Sequence, residues 1–170
     1  WVKEAERRGL SNLKNSLEAF GAFIKEKSVK LFTKNGVFSE SEIHSRYEIM
    51  VETYVKTLRI EALTMIDMTK SLIMPSVISY SNELSQGIAQ KIQCGVFDSS
   101  MERYLLEQIS DLSAKLVQKL YALEEAVKKA ESEKELEHKA SLFKSSVFAA
   151  MCELRETADS LETLVAKKHW

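Results

Sequence analysis

The residues best suited to metal chemistry are Glu135 and His138, which stand three positions apart. On a helix this spacing puts a carboxylate and an imidazole on one face, as in the carboxylate-bridged di-iron bundles. Such a centre needs a second Glu-x-x-His step and two more inward carboxylates, and the sequence contains no second step. The neighbouring apolar stripe of Leu136, Ala140 and Phe143 also turns the pair toward solvent. We therefore predict an exposed helix start here, and no metal site.

Two cysteines, Cys94 and Cys152, are the candidate nucleophiles. Cys94 precedes a glycine at the end of a predicted helix, where the helix dipole disfavours a thiolate, and Cys152 lies within an apolar helical stretch. We expect both to be small buried or half-buried side chains. Two cysteines are also too few for a disulfide framework, which favours a reduced, cytoplasmic setting.

The sequence lacks the loops that cradle phosphate groups. Neither Gly-x-x-x-x-Gly-Lys nor Gly-x-Gly-x-x-Gly occurs in its 170 residues. A net charge of −1 gives no attraction to nucleic acid, and no apolar run approaches the ~20 residues of a membrane span. We predict that this stretch has no catalytic residue, binds no cofactor or metal, and has neither a nucleic-acid nor a membrane partner.

Charged residues are set among large apolar ones in one stretch, residues 44–70. Charges in such a position must be paired, exposed or matched to another surface. They are either ion pairs at helical spacing, each worth a few tenths of a kcal/mol, or a docking face for another domain or subunit. The candidate interface residues are Arg46, Glu48, Glu52, Arg59, Glu61 and Asp67.

The elements that position these residues must be long, because the chain has only 5 Gly and 1 Pro. Such a composition counts against folds with many tight turns and favours a few long helices. Residues 1–38 begin with the end of a helix, closed by Gly9, and continue with a short amphipathic stretch at residues 13–24. The pattern is irregular over residues 25–38, with a turn at Asn35-Gly36.

Residues 39–95 form one long predicted helix. Ser39 and Glu42 have the spacing of a capping box, and apolar residues follow on two stripes, which predicts neighbours on both sides. Pro75 removes a backbone donor, so we expect a kink or a break near residues 72–74.

Residues 99–166 form a predicted helix hairpin. Ser99 with Glu102 is a second capping box, and it opens a helix over residues 100–131. A polar connection at residues 131–135 leads to a partner of similar length, and so short a link makes the two helices antiparallel. The prediction is an all-α antiparallel bundle in one domain, residues 1–170, whose longest helix is kinked near Pro75.

Several stretches of the chain carry a family resemblance. They are residues 1–10 (WVKEAERRGL), residues 45–49 (SRYEI), residues 60–68 (IEALTMIDM) with Pro75, and Leu154-Arg155, Asp159, Leu161-Glu162 and Trp170 near the end. They resemble the C-terminal region of type III glutamine synthetases, and the resemblance covers essentially the whole chain.

The resemblance implies a bacterial enzyme that joins ammonia to glutamate with ATP and divalent metal, Mg or Mn. In that family the catalytic motifs lie upstream of the position that matches Trp1, so this fragment is expected to be structural and inactive alone. The family assembles as a double ring of hexamers, which makes the catalytic domain and neighbouring subunits the expected partners. The start at Trp1 rather than Met fits a piece of a longer protein.

A second interpretation stays open on the sequence alone. The chain could be a stand-alone helical scaffold that docks a protein partner through residues 44–70. The reading frame upstream of Trp1 discriminates the two: a nearby initiator Met favours the scaffold, and several hundred coding residues favour the enzyme.

Overall fold

The computed structural model describes residues 1–95 and 98–170, and within them the regular structure is helical, without strands. The predicted all-α bundle is therefore confirmed. In chain order the α-helices are α1 Val2–Arg7, α2 Ser16–Phe23, α3 Glu26–Lys34, α4 Glu40–Met68, α5 Met74–Gln93, α6 Ser100–Ser132, α7 Leu136–Leu142 and α8 Phe148–Glu162. That residues 1–170 form a single domain stays a prediction.

A π-helical segment, Thr69–Ile73, joins α4 to α5 without a break, and we call the whole of residues 40–93 the long helix. The backbone N–H of Met74 bonds the Thr69 carbonyl, five residues back. Pro75, in the first turn of α5, has no N–H to donate, so the regular ladder is interrupted here in any case. The irregularity expected near Pro75 is thus a π turn, one of the recognised causes of helix bending, and not a chain break.

The long helix and α6 run antiparallel. Ion pairs join Arg59 to Glu131 and Lys91 to Glu102. Residue numbers therefore rise along the long helix while those of the facing residues fall along α6. The predicted connection at residues 131–135 then reverses the chain into α7.

The third rod consists of α7, a second π-helical segment Phe143–Val147, and α8. It runs antiparallel to α6, which it meets through Lys119 and Glu153 at 2.6 Å. Its direction is the same as that of the long helix, since the Tyr47 hydroxyl donates to Glu137 at 2.9 Å near one end. The result is an up-down-up bundle of three rods.

The core lies between the three rods. Its largest fully buried side chains are Phe143, Ile109, Leu116, Leu123, Leu154, Leu161, Val51 and Val147. Each buried aliphatic or aromatic side chain stabilises the fold by ~1.5–3 kcal/mol, because its apolar surface is removed from water. Because all three rods contribute, no rod is stable as a separate unit.

The two predicted capping boxes have different outcomes. At α4 both bonds form: the Ser39 hydroxyl accepts from the Glu42 N–H, and the Glu42 carboxylate accepts from the Ser39 N–H. At α6 the prediction is wrong, because Glu102 pairs with Lys91 instead. The carboxylate of Asp98 accepts from the Ser100 N–H at 2.9 Å and so caps the helix in place of Ser99.

Residues 1–38 lie outside the main core and form α1, α2 and α3. None of these three helices contains a fully buried residue. Gly9 and Gly36 end α1 and α3 with φ of 75° and 63°, as the turn signals predicted. The expectation of an irregular stretch at residues 25–38 is wrong, because α3 occupies most of it; its Phe32 packs against Phe23 and Phe38.

Candidate interface on the long helix

The residues with the best spacing for metal chemistry do not form a site. His138 is exposed, as predicted, and its Nδ1 lies 2.8 Å from a carboxylate oxygen of Glu133, not from Glu135. The other Glu133 oxygen accepts the N–H groups of Lys134 and Glu135, so Glu133 organises the start of α7. These backbone bonds and the imidazole hold the pKa of Glu133 below its usual 4.5. In residues 1–95 and 98–170 no three His, Cys, Asp or Glu side chains cluster as metal ligands would.

Both cysteines are free and exposed, which corrects the expectation that they are buried or half-buried. Cys94 follows the last residue of α5. Cys152 lies on α8 between Met151, which is buried, and Glu153, which pairs with Lys119. A cysteine one position from a core residue lies on the outer side of the helix, which the sequence pattern around position 152 did not resolve.

The six candidate interface charges do not share one face of the long helix. Glu48, Glu52 and Arg59 recur at intervals of four and seven residues and therefore share one side of the helix. Arg59 forms its ion pair with Glu131 of α6, and Glu52 pairs with Lys56 at 2.8 Å, one turn along. Arg59 and Glu52 therefore form ion pairs within the chain, as expected if the charges are ion pairs and not a docking face.

The other candidates point elsewhere. The Arg46 guanidinium lies 4.5 Å above the centre of the Phe38 ring, an attraction worth ~0.5–1 kcal/mol where it is exposed. Glu61 is exposed and lies two residues from Arg59, so it projects from nearly the opposite side of the helix. Asp67 is also exposed. That these six residues form an interface stays a prediction.

A stripe of isoleucines and threonines separates the two charged sides. It consists of Ile49, Thr53, Ile60 and Thr64, spaced by four, seven and four residues, and we call it the outer stripe. Lys56 lies in the seven-residue gap, and its amine pairs with Glu52 at the edge of the stripe. Ile49 and Ile60 each lie two residues before a buried residue, Val51 and Ala62. Two residues correspond to a rotation of about 200° around the helix axis, so the isoleucines project from the side away from the core. All four stripe residues are exposed.

The outer stripe overturns one expectation from the sequence. The second apolar stripe predicted neighbours on both sides of the long helix, yet Ile49 is 60% exposed and Ile60 is 62% exposed. The sequence pattern found the second apolar stripe, but it could not show that Ile49 and Ile60 are exposed while Ile66 and Ile73, further along it, pack against the core. At its amino-terminal end the stripe borders a groove of about 300 Å³, lined by Phe20, Ile49, Met50, Thr53, Tyr54 and Thr57.

A contact that the sequence did not indicate ties the last residues of the chain to α5. His169 packs against the Tyr80 ring at 5.5 Å between centroids, and its Nε2 lies 2.7 Å from Glu83. Lys168 donates to the same carboxylate at 2.7 Å. The hydrogen bond from Lys168, and after it the smaller effect of the one from His169, holds the pKa of Glu83 below its usual 4.5. A single glutamate thereby fixes the end of the third rod against the long helix.

No helix among the described residues is long and apolar enough to cross a bilayer.

Comparison with known proteins gives consistent matches. A family model described as glutamine synthetase C-terminal domain matches residues 1–92. A glutamine synthetase of Butyrivibrio fibrisolvens is 39% identical over 170 residues, 99% of this chain and 24% of the relative. A type-3 glutamine synthetase of Dictyostelium discoideum is 30% identical over 178 residues, and a glutamine synthetase of Bacteroides fragilis is 25% identical over 177. The chain spans about a quarter of the length of the relatives it matches.

Proposed function

The chain belongs to the glutamine synthetase C-terminal domain family, and from that membership we propose that it serves a ligase that makes glutamine from glutamate and ammonia with ATP. The observation that carries the proposal is the alignment itself. The whole chain aligns with proteins named glutamine synthetase and occupies only 24% of their length.

The role we propose for the chain is structural: it supports the assembly of the enzyme and is inactive alone. The described residues offer no metal cluster, and the sequence has no phosphate-binding glycine loop. Neither observation points to ATP or a divalent metal, Mg or Mn, as a ligand of this chain. We therefore assign those groups, and the catalytic residues, to the part of the polypeptide outside this chain.

The partners we propose are the catalytic domain of the same protein and neighbouring subunits of a homo-oligomer. The arrangement as a double hexameric ring rests on the family resemblance. The exposed free thiols of Cys94 and Cys152 fit a reducing compartment, and we place the protein in the cytoplasm. The stand-alone scaffold is less well supported, because the relatives are about four times as long as the aligned region.

An assay of glutamate- and ammonia-dependent ADP release tests the proposal. We expect the full-length protein to turn over and the 170-residue chain to be inactive at the same concentration. Turnover by the chain alone would contradict the structural role. A full-length protein that forms no glutamine would contradict the ligase assignment.

The candidate charges are tested in the full-length protein with Glu61→Leu and Arg46→Ala. Both side chains are exposed, so we expect the helical fold to persist while assembly or glutamine formation weakens. Size-exclusion chromatography with light scattering measures the assembly. If both variants assemble and work like the unmodified protein, these charges are not part of an interface.

A further inference from the structure

The outer stripe is an apolar surface for which this chain provides no cover. Ile49 and Ile60 expose 60% and 62% of their surface on the side of α4 away from the core. Exposed Leu63, one turn from Ile60, widens the stripe. Exposed apolar surface rimmed by polar residues is typical of a protein contact.

The groove at the amino-terminal end gives this surface a shape. The Phe20 ring stands edge-on to Tyr54 at 6.3 Å between centroids, so α2 forms one wall and α4 the floor. Ile49 and Thr53 form the other side of the groove. An apolar side chain from another segment can enter here, whereas a flat helix surface offers no such depth.

The charges around the stripe favour a protein segment as the occupant. The four stripe residues carry no charge, and the one cation between them, Lys56, is paired with Glu52 at 2.8 Å. Nucleic acid or an anionic membrane would require several free cations on this face. A protein segment fits what is present, exposed isoleucines among hydroxyl groups and one lysine whose charge is already paired.

Chain connectivity indicates which protein segment this is. The family is a C-terminal domain, and about three quarters of the length of each relative lies outside the aligned region. A preceding part of the polypeptide would enter at Trp1 and reach α2, the wall of the groove, after only α1 and residues 8–15. Such a tether holds the preceding part near the stripe at an effective concentration in the millimolar range.

We propose that the outer stripe, with the groove beside Phe20, is the surface on which the preceding part of the same polypeptide packs. The inference rests on the proposed function, which supplies that preceding part. It assigns the contact to the outer stripe and not to the six candidate charges, of which Arg46 and Asp67 lie beyond the two ends of the stripe.

Thiol labelling of the full-length protein tests whether the stripe is covered. Ile60→Cys and Ile92→Cys are a matched pair, because the two isoleucines are 62% and 60% exposed in this chain. Both are made in a Cys94→Ser background, and trypsin separates them into peptides 60–70 and 92–103. Each native alkylation rate is divided by the rate in urea, which removes local chemical differences.

We expect position 60 to react at least about tenfold more slowly than position 92 after this correction, because a covered thiol reacts only when the contact opens. Equal corrected rates at the two positions would overturn the proposal. Because both side chains lie outside the core, neither substitution removes a core contact.

A benzophenone amino acid at position 60 identifies the occupant. We expect a photoproduct that migrates at monomer mass and joins peptide 60–70 to a peptide upstream of Trp1. A product at dimer mass, or one joined to a peptide within residues 1–170, would overturn the assignment and point to another copy or to this chain itself.

Neither readout requires turnover, so the inference and the proposed function can fail separately. A protein that forms glutamine while position 60 labels as fast as position 92 keeps its function and refutes the inference. A protein in which position 60 is protected but no glutamine forms supports the inference and refutes the proposed function.

Discussion

The three-rod bundle of residues 40–162 and the amino-terminal residues 1–38 are stabilised in different ways. The bundle buries side chains such as Phe143 and Leu123 completely, whereas α1, α2 and α3 have no fully buried residue. The first 38 residues adhere through rim contacts, among them Phe20 with Tyr54 and Glu18 with Lys144. The comparison separates a region with fully buried side chains from one whose side chains, such as Leu17 and Phe20, are at most half-buried against it.

Truncating one phenylalanine in each region gives the largest expected contrast. Phe143→Ala leaves a cavity in a closed core, and we expect the free energy of unfolding to fall by about 3–5 kcal/mol. Phe23→Ala removes a half-buried ring from the cluster with Phe32, and we expect a loss of about 1 kcal/mol. Urea unfolding followed by circular dichroism measures both, and equal losses would remove the distinction between the regions.

The boundary between the regions is tested at the first turn of α4. Ser39→Ala deletes the hydroxyl that accepts from the Glu42 N–H, and we expect a loss of about 1 kcal/mol. Ser11→Ala is the control, since Ser11 is exposed and lies outside the helices. If the two substitutions cost the same in urea unfolding, the cap at Ser39 does not stabilise the start of the bundle.

The rim contact of the amino-terminal residues responds to pH. The hydrogen bond from Asn15, and after it the smaller effect of the one from Lys144, holds the pKa of Glu18 below its usual 4.5. The carboxylate form is favoured in the folded state, so its contribution is present above pH 4.5 and is lost as the pH falls through the lowered pKa.

We therefore expect amide protection in α2, corrected for intrinsic exchange, to decrease below pH 4.5, and Glu18→Gln to lose this pH response. The same measurement on residues 109–123 of α6 is the internal reference. Protection of α2 that does not change between pH 6 and pH 3 would mean that Glu18 does not hold the amino-terminal residues.

The smallest effect is expected at the two cysteines. Because both are exposed, Cys94→Ser and Cys152→Ser are each expected to change the free energy of unfolding by less than about 0.5 kcal/mol. A loss above 1 kcal/mol at Cys152 in urea unfolding would show that the outer side of α8 is part of a packed surface.

Local signals predicted the fold where nothing competed with them. Ser39 and Glu42 form their box because both side chains are free to do so, whereas Lys91 takes Glu102 away from Ser99. The contact between Lys91 and Glu102 depends on how the rods pack, and no local pattern contains it. The same limit explains α3, whose apolar residues serve a small aromatic cluster beside the main core.

The candidate interface was predictable only in outline. The stripe containing Ile49 and Ile60 is visible in the spacing of the sequence, but its exposure depends on where α2 and α6 stop covering α4. The pair between Arg59 and Glu131 spans 72 positions, so the sequence alone left pairing and docking equally open.

The π segment Thr69–Ile73 changes the phase of the long helix. Before it, Val51, Val55, Leu58 and Ala62 keep a common helical phase, and after it the core side is marked by Val77 and Leu84. A π turn winds less per residue than an α turn, so an ideal wheel continued from α4 would place Val77 and Leu84 off the core side. The long helix thus consists of two amphipathic halves whose core sides are kept in line by the wider π turn, and a deletion of one residue within 69–73 would let this turn wind as a regular α-helix while Val77 and Leu84 stay on the core side.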